Sequence, residues 1–551
     1  MSAEDVKLAS DHLRGTVGTE LARSTAAFGA EDVTVLKFHG IYQQDDRDTR
    51  RERTRAGDDL DHSCMVRVGL PGGRLTSEQW TALDRVADAV GSDSLRVTTR
   101  QGIQFHGVVK PHLKPLLAGI AAAELSTFAA CGDVVRNVMA SPAPLPGAVD
   151  AELARWAERI AAHFRPTTTA YVEIWLDEER AISVEPSTEP IYGDAYLPRK
   201  FKIGLAGPAD NSVDVLTHDV GIVPLVRDDR IEGFTLAIGG GMGRSHQRPD
   251  DTYPRLGSWF ADVAPQELLA TIEAIVTVHR DVGDRDDRKQ ARLKYVVDRL
   301  GLDAVRAEVE RRVGRTLRPP TEHRFPVTDD HLGWHRANDG SWFVGVHLPS
   351  GRVRDLADRR YRTALRRIAS EVGPELRCTP QQNVLVCGVD DAGRDRIEEL
   401  LAEHGVPRVE QLSPITREAL ACPALPTCGQ ALGEAERILP DVLEEVHGLL
   451  AELGVADEPL QLRMTGCPNG CARPYVAELA LVGRTKTAYD IFAGGSADGT
   501  RLNREVASSV RRGDLVDVLR PLLARWVDER RGSERFGDWF DRSADEVGAA
   551  A

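Results

Sequence analysis

The sequence predicts an α+β protein made of two related halves that pack about an internal pseudo-twofold axis. Three echoes point to it. The segment "GLPGGRL" at 69–75 returns as "HLPSGRV" at 347–353, "LRVTTRQGIQFHGV" at 95–108 returns as "LRCTPQQNVLVCGV" at 376–389, and "RNVMASPAP" at 136–144 returns as "REALACPAL" at 417–425. The echoes keep the same order, the first at an offset of 278 and the other two at 281. A repeat of this kind describes two copies of one unit, with room for a ligand between them.

The local grammar is mixed. "TSEQWTALDRVADAVG" has a Thr/Ser start and apolar residues at helical spacing, and reads as a helix. "LRVTTRQGIQFHGV" alternates and reads as one strand, which places Arg96, Thr98 and Arg100 on one face and returns Gln104 and His106 to it. The stretch beginning directly after Cys428 carries Leu432, Leu439, Val442, Val446 and Leu449 at helical spacing. It is expected to form a helix whose N-terminus points at whatever Cys428 binds, kinked at Pro440. "GFTLAIGGGMGRSH" at 233–246 reads as a strand entering a glycine-rich loop; it fits neither G-x-G-x-x-G nor a P-loop, so no nucleotide site is expected.

A chain of 551 residues with 42% hydrophobic content is long enough for three or four packed domains. Its net charge of −15 argues against sequence-independent binding to nucleic acid or to an anionic membrane. The opening "MSAEDVKLASDHLRG" has no apolar signal region, and no apolar run approaches a membrane span, so a soluble, cytoplasmic protein is expected. In a reducing compartment clustered thiols serve metals or catalysis more often than disulfides. Four of the eight cysteines fall in such a cluster: Cys422 and Cys428 in "ACPALPTCGQ", then Cys467 and Cys471 in "MTGCPNGCARPY". The spacing C-x5-C and C-x3-C fits zinc knuckles poorly and suits an iron–sulfur cluster, with zinc or plain buried thiols as the remaining readings.

These cysteine segments resemble the cluster motifs of assimilatory sulfite reductase haemoproteins, within the sirohaem sulfite/nitrite reductase family. "LKFHGIYQQDDRDTRRER" at 36–53, "LRVTTRQGIQFHGV", "YLPRKFKIG" at 196–204 and "DRKQARLKY" at 287–295 resemble the same family in the same order, so the likeness covers nearly the whole chain. It implies a three-domain sirohaem reductase architecture. An N-terminal extension at 1–60 precedes a paired ferredoxin-like repeat domain at 61–128 plus 331–409, a first sirohaem- and anion-binding domain at 129–330, and a cluster-binding domain at 410–551.

The resemblance further implies that Cys422, Cys428, Cys467 and Cys471 hold a [4Fe–4S] cluster, with Cys471 bridging to the iron of sirohaem. Arg67, Arg136, Lys200 and Lys202 are then the cations that bind sulfite on the other face. Arg96, Thr98, Arg100, Gln104, His106, Arg288 and Arg292 are candidates for the carboxylates of the macrocycle. The implied activity is reduction of sulfite to sulfide, which takes six electrons. Nitrite reduction is the nearest alternative, and a non-catalytic iron–sulfur or zinc regulatory protein is the alternative of another class. With no flavin or NADPH fingerprint, the chain must draw electrons from another protein. "GCARPY" resembles the ferredoxin-dependent branch, whereas "KFHGIYQQDDRD" and the length resemble the subunit served by an NADPH-oxidising flavoprotein.

Each residue also has a plainer reading. Lys200 and Lys202 can be the solvated face of a strand, Arg67 and Arg136 structural ion pairs, His106 a core histidine, Gly239–Gly241 a tight turn. "DDRDTRRER" reads as an exposed charged segment from which Arg47 can reach a haem carboxylate. Cys64, Cys378 and Cys387 lie in apolar strand settings and are expected to be inert. Cys131, five residues before Arg136, is expected beside the anion pocket and Tyr42, where oxidation can join the two; an inert buried thiol is the alternative.

Overall fold

The computed structural model describes the chain except residues 146–148, 168–172, 177–178, 184–188, 327 and 548–551. Four five-stranded sheets form two matched pairs, and a small two-stranded sheet stands apart. In the first pair, one sheet orders Ile41–Asp45, His62–Val68, Ile103–Val108 and Leu95–Val97, and its fifth place is filled by Arg352–Val353 from the far half. The matching sheet orders Gly333–Arg336, Trp342–Val346, Val384–Val389 and Glu375–Cys378, and takes Arg74–Leu75 in return. The exchanged strands are the echoed "GGRL" and "SGRV" segments, and they pair Arg352 with Arg96 and Arg74 with Arg377.

The exchange gives both halves one core, in which Trp80, Leu83, Phe105 and Ile120 share a cluster with Tyr361, Leu365, Ile368 and Leu376. The helix Ser77–Ala89 starts as its sequence predicts: Thr76 caps it, and Gln79 returns the bond to the cap. At Gly73, φ is +78° and an added Cβ would lie 2.4 Å from the Cys378 carbonyl, so the crossing admits only glycine there.

The expectation of one continuous strand over 95–108 is corrected. The chain turns back through residues 98–102, with Gln101 at φ +55°, so Arg96 and Gln104 face each other across a hairpin. Gln101 pins the turn. Its amide nitrogen donates to the Gly72, Ala140 and Cys378 carbonyls (3.2, 2.8 and 3.1 Å), and its oxygen accepts from the Ala140 N–H (2.9 Å).

The second pair of sheets extends the repeat, of which the sequence shows only the echo of 136–144 at 417–425. Met139–Ala140, Ile203–Leu205 and Val220–Arg227 run parallel, followed by antiparallel Arg230–Ile238 and Ser258–Val263. Leu420–Ala421, Leu462–Thr465, Leu479–Thr485, Ala488–Ala493 and Arg504–Arg511 repeat that order and direction. Ile203 corresponds to Leu462 and Val220 to Leu479, so the loop "GPADNSVD" at 207–214 stands opposite "GCPNGCAR" at 466–473. The hydrogen bonds match as well: the Gly207 N–H donates to Ser141 Oγ (2.9 Å), and the Gly466 N–H to Cys422 Sγ (3.3 Å).

The helix expected directly after Cys428 begins later, at Leu439–Glu452, with Pro440 in its first turn, where a missing N–H costs nothing. Pro440 therefore starts the helix and does not kink it, and the helix N-terminus is not at Cys428. Among the described residues no helix is long and apolar enough to cross a membrane.

Each of the matched loops ends in a residue of left-handed conformation, Asp214 (φ 50°) and Arg473 (φ 51°), followed by a short 3₁₀ turn. These two equivalent residues meet. Asp214 Oδ2 accepts from Arg473 Nε and from Arg463 Nη1 (2.7 Å), with all three side chains buried. Arg473 also donates to the carbonyls of Thr99 (3.1 Å) and Pro380 (3.2 Å), one from each ferredoxin-like half. Asp214→Asn leaves two buried guanidinium groups short of a counter-charge. It should lower stability by about 3–5 kcal/mol, read as a fall in the urea midpoint by tryptophan fluorescence; an unchanged midpoint would show that the contact stabilises nothing.

Candidate functional site

Two chemically opposite surfaces face each other where the halves meet. On one side are the thiols. Cys422 and Cys467 are buried, Cys428 is half-buried and Cys471 is exposed. Burial, then Cys471 and Cys467, push the Cys422 thiol well up, while burial and Cys471 push Cys467 to about 12. Cys428 rises for the same reasons, burial first and then Cys471. All four sulfurs thus sit within one another's electrostatic range.

Backbone N–H groups work in the opposite direction. Gly466 donates to Cys422, residues Gln430 and Ala431 donate to Cys428, and Asn469 donates to Cys467. Donors aimed at buried sulfurs that burial alone would keep protonated are what a metal–thiolate centre needs. Four thiols within one another's electrostatic range, the three less exposed ones each met by a backbone N–H, fit the all-thiolate donor set of an iron–sulfur cluster.

On the other side are the cations. Lys200 and Lys202 flank Phe201 just ahead of the strand Ile203–Leu205, which alternation turns to one face. Both are half-buried by surface, and the surrounding protein desolvates their ammonium groups. Desolvation, then Arg136, Arg199 and Arg292, push Lys200 down to about 7. Lys202 is pushed well down by desolvation, then Lys200, Arg100 and Arg292. Both lysines are within electrostatic range of Cys471, so the cation face looks across at the thiol that closes the cysteine motif. Neither ammonium makes a salt bridge among the described residues.

Arg136 hydrogen-bonds the Tyr42 hydroxyl, and its Nε donates to the Gly132 carbonyl (3.1 Å). Arg67 Nη1 lies 2.8 Å from Cys131 Sγ. Gln104 turns its amide oxygen to Arg67 Nε and Nη2 (3.1 and 2.6 Å), the only orientation those donors allow, and its nitrogen to His106 Nε2 (3.3 Å). That places the His106 proton on Nδ1, which is buried and has no partner. Tyr42 lies within electrostatic range of Cys131, Arg136 and Arg67. Cys64, Cys378 and Cys387 are buried and pushed to about 12 by desolvation, as inert thiols are.

The other candidates divide by whether the protein already uses their donors. Arg100 is half-buried, with its Nε buried and unpartnered, and desolvation, then Arg136, lower it to about 9, so it stays charged at neutral pH. Arg288 pairs with Asp133 through Nη2 (2.9 Å) and with Glu4 through Nη1 (3.6 Å). Arg96 is engaged by Glu436 (3.1 Å) and the Ala421 carbonyl (3.0 Å), Arg292 by Asp219 (3.1 and 2.8 Å). Thr98 Oγ accepts from the Arg100 and Gly102 N–H groups, which closes the hairpin turn. Arg47 binds the carbonyls of Cys428, Gly429 and Ala431, so it braces the cysteine loop.

Several residues of the site escape the sequence reading. Asp133 holds Arg288 and lies 3.8 Å from Arg199; Asp219, fully buried, also accepts from the Lys202 N–H (2.9 Å). Arg199 stands inside "YLPRKFKIG", and Asp133 lies between the two singled-out residues Cys131 and Arg136, which was a usable signal; His218 and Asp219 stand in no such segment.

Comparison with known proteins agrees with this arrangement. The family model described as "Nitrite/Sulfite reductase ferredoxin-like half domain" matches residues 57–123 and 335–404. The model described as "Nitrite and sulphite reductase 4Fe-4S domain" matches 155–317, the half without the four cysteines, which the duplication of the large sheet explains. The chain is 46% identical over 540 residues to a protein of Acidithiobacillus ferrooxidans named "Sulfite reductase [NADPH] hemoprotein beta-component", covering 98% of this chain and 95% of that one. A protein of the same name from Staphylococcus haemolyticus is 41% identical, covering 98% and 94%. The solved structure of the Mycobacterium tuberculosis NirA protein shares the fold, with a TM-score of 0.80, 23% identity and coverage of 99% and 97%. With relatives of this identity over almost its full length, the chain belongs to the nitrite and sulfite reductase family.

Proposed function

We propose that the chain carries out the reduction of sulfite to sulfide in sulfur assimilation, at a sirohaem coupled through Cys471 to a [4Fe–4S] cluster on Cys422, Cys428, Cys467 and Cys471. One observation carries the reading: Lys200 and Lys202, without carboxylate partners among the described residues, face Cys471 across the junction of the halves. Cations near a cluster of thiols suit a site where the thiols would hold the cofactors and Arg67, Arg136, Lys200 and Lys202 would hold the anion beside them. The cofactors supply electrons in single steps next to the bound substrate. Their reduction calls for a separate electron-donating protein, in our reading the NADPH-oxidising flavoprotein that the relatives' name brings to mind. The same pocket suits nitrite, but its fixed positive charge favours the anion of higher charge.

The chain's own groups divide the remaining work. Arg67, Arg136, Lys200 and Lys202 hold the oxygens of sulfite by charge and hydrogen bonding, in a desolvated space where both count for more than in water. Arg100 Nε and the Nδ1–H of His106 are free to donate to carboxylates of the macrocycle, while Arg288, which pairs with Asp133 and Glu4, adds positive charge beside them. Arg96, Thr98, Gln104 and Arg292 serve the cofactor in this reading by holding the walls: Gln104 fixes Arg67 and His106, and Arg292 fixes Asp219. Lys200 Nζ, close to neutral in pKa, is the group suited to pass protons to the departing oxygens.

Arg136→Ala and Lys202→Ala should each reduce sulfite turnover per haem by roughly ten- to a thousandfold, with a smaller loss on nitrite, which carries less charge. Steady-state kinetics on both substrates, at cofactor content checked by spectrum, decides this; unchanged sulfite turnover in both variants would make these cations structural. The pH profile tests Lys200. The protonated amine is present below its pKa, and a bound anion raises that pKa, so turnover should fall as pH climbs above about 7. In Lys200→Met that alkaline limb should vanish together with most of the rate. Cys471→Ser should alter the haem absorption spectrum and abolish turnover; a normal spectrum with normal turnover would remove Cys471 from the bridge.

A further inference from the structure

His218 stands in none of the family motifs, yet its imidazole sits at the centre of the cation wall. The side chain is buried. Its Nε2 lies 3.0 Å from the Val213 carbonyl, and its Nδ1 lies 3.3 Å from Arg100 Nη1. A carbonyl oxygen can only accept and a guanidinium N–H can only donate, so both bonds are made by a single species. That species is neutral, with its proton on Nε2 and a lone pair on Nδ1 turned to Arg100. Desolvation, then Arg100 and Lys202, hold the ring well below the usual histidine range, in agreement with the bonds.

The bond fixes a cation whose other anchors lie on one side. Arg100 Nη2 donates to the carbonyls of Asn137 and Ile203 (3.2 Å for the latter), and only His218 engages Nη1. With those three partners set, the Nε–H, which has no partner, and the second N–H of Nη1 are the donors left for a ligand. The ring also bears on the neighbouring strand: a Cβ on Gly204, two residues after Lys202, would lie 2.5 Å from it, so glycine there admits the histidine. The His218 carbonyl accepts from the Gly240 N–H (2.9 Å), which ties the glycine-rich loop to the same point.

We propose that His218 is a positioning residue of the anion and cofactor site, acting through Arg100 as a permanent hydrogen-bond acceptor and never as a proton donor. The proposal rests on the sulfite-reducing reading given above. It separates His218 from Lys200, since two titratable groups in one pocket take opposite roles: one is held neutral to aim a guanidinium, the other is poised to exchange a proton.

The test compares His218→Asn, whose amide oxygen can stand near the place of Nδ1, with His218→Phe, which fills the volume without an acceptor. Both are prepared as holoenzyme and compared at equal haem content. Sulfite affinity is read by titrating the haem absorption band, alongside kcat and KM between pH 6 and 8. His218→Phe should weaken sulfite binding or turnover by roughly ten- to a hundredfold, as loss of a hydrogen bond to a charged group does. His218→Asn should restore most of it, and the pH profile should keep its wild-type shape in both. Equal loss in the two variants would assign His218 a packing role, and loss of a titration between pH 6 and 8 would make it a proton donor; either overturns the proposal. Wild-type protein that fails to reduce sulfite would instead refute the underlying reading.

Discussion

The contact between Asp214 and Arg473 joins every large part of this molecule. Asp214 comes from the half that carries the cations, and Arg473 and Arg463 from the half that carries the thiols. Arg473 reaches on to carbonyls of both ferredoxin-like halves. Two residues before Arg473 stands Cys471, whose carbonyl accepts from Thr99 Oγ (2.9 Å). Charge buried this deeply is costly unless it is paired and fully hydrogen-bonded, so the pairing fixes how the halves meet and with it the distance between thiols and cations. The partners occupy equivalent positions in the duplicated sheet and carry opposite charge, a contact that two identical subunits could not make.

The same rule governs the cation wall. A protein with net charge −15 has acidic groups to spare, and it places two of them, Asp133 and Asp219, behind the wall. Asp133 takes Arg288, while Asp219 takes Arg292 and the Lys202 backbone. The lysine ammonium groups in front stay without counter-ions among the described residues. Fold and chemistry thus divide the positive charge: Arg288 and Arg292, paired with carboxylates, stand behind the site, while Arg67, Arg100, Arg136 and the two lysines have no carboxylate partner among the described residues.

The sequence made legible what depends on spacing and on long motifs. The ferredoxin-like repeat was visible because its turns need glycine at fixed places, and the cysteines because metal ligands tolerate no substitute. Readings that depended on one-dimensional alternation were weaker: the 95–108 segment alternates like a single strand, yet Thr98 and Gln101 bond its middle into a turn. Pro440 obeyed its chemistry at a different helix position. The second duplication showed in sequence only at its first strand, through the echo that sets Ser141 against Cys422; the rest was hidden, since Asp214 and Arg473 keep place and backbone conformation while exchanging chemistry. His218 and Asp219 were out of reach for a related reason, because their meaning lies in Arg100 and Arg292, far away in the chain.

The reciprocal strands Arg74–Leu75 and Arg352–Val353 bear on how the chain is made. The first ferredoxin-like sheet pairs residue 96 with residue 352, so its edge stays open until more than half of the chain has been synthesised. The second sheet, conversely, waits on a strand that emerged from the ribosome long before it. Neither half can finish folding alone, and a chain cut between them would leave each with an unpaired edge open to other molecules. The contacts that close the structure are among its most distant in sequence, so assembly is slow to begin and, once closed, must open both sheets to come apart.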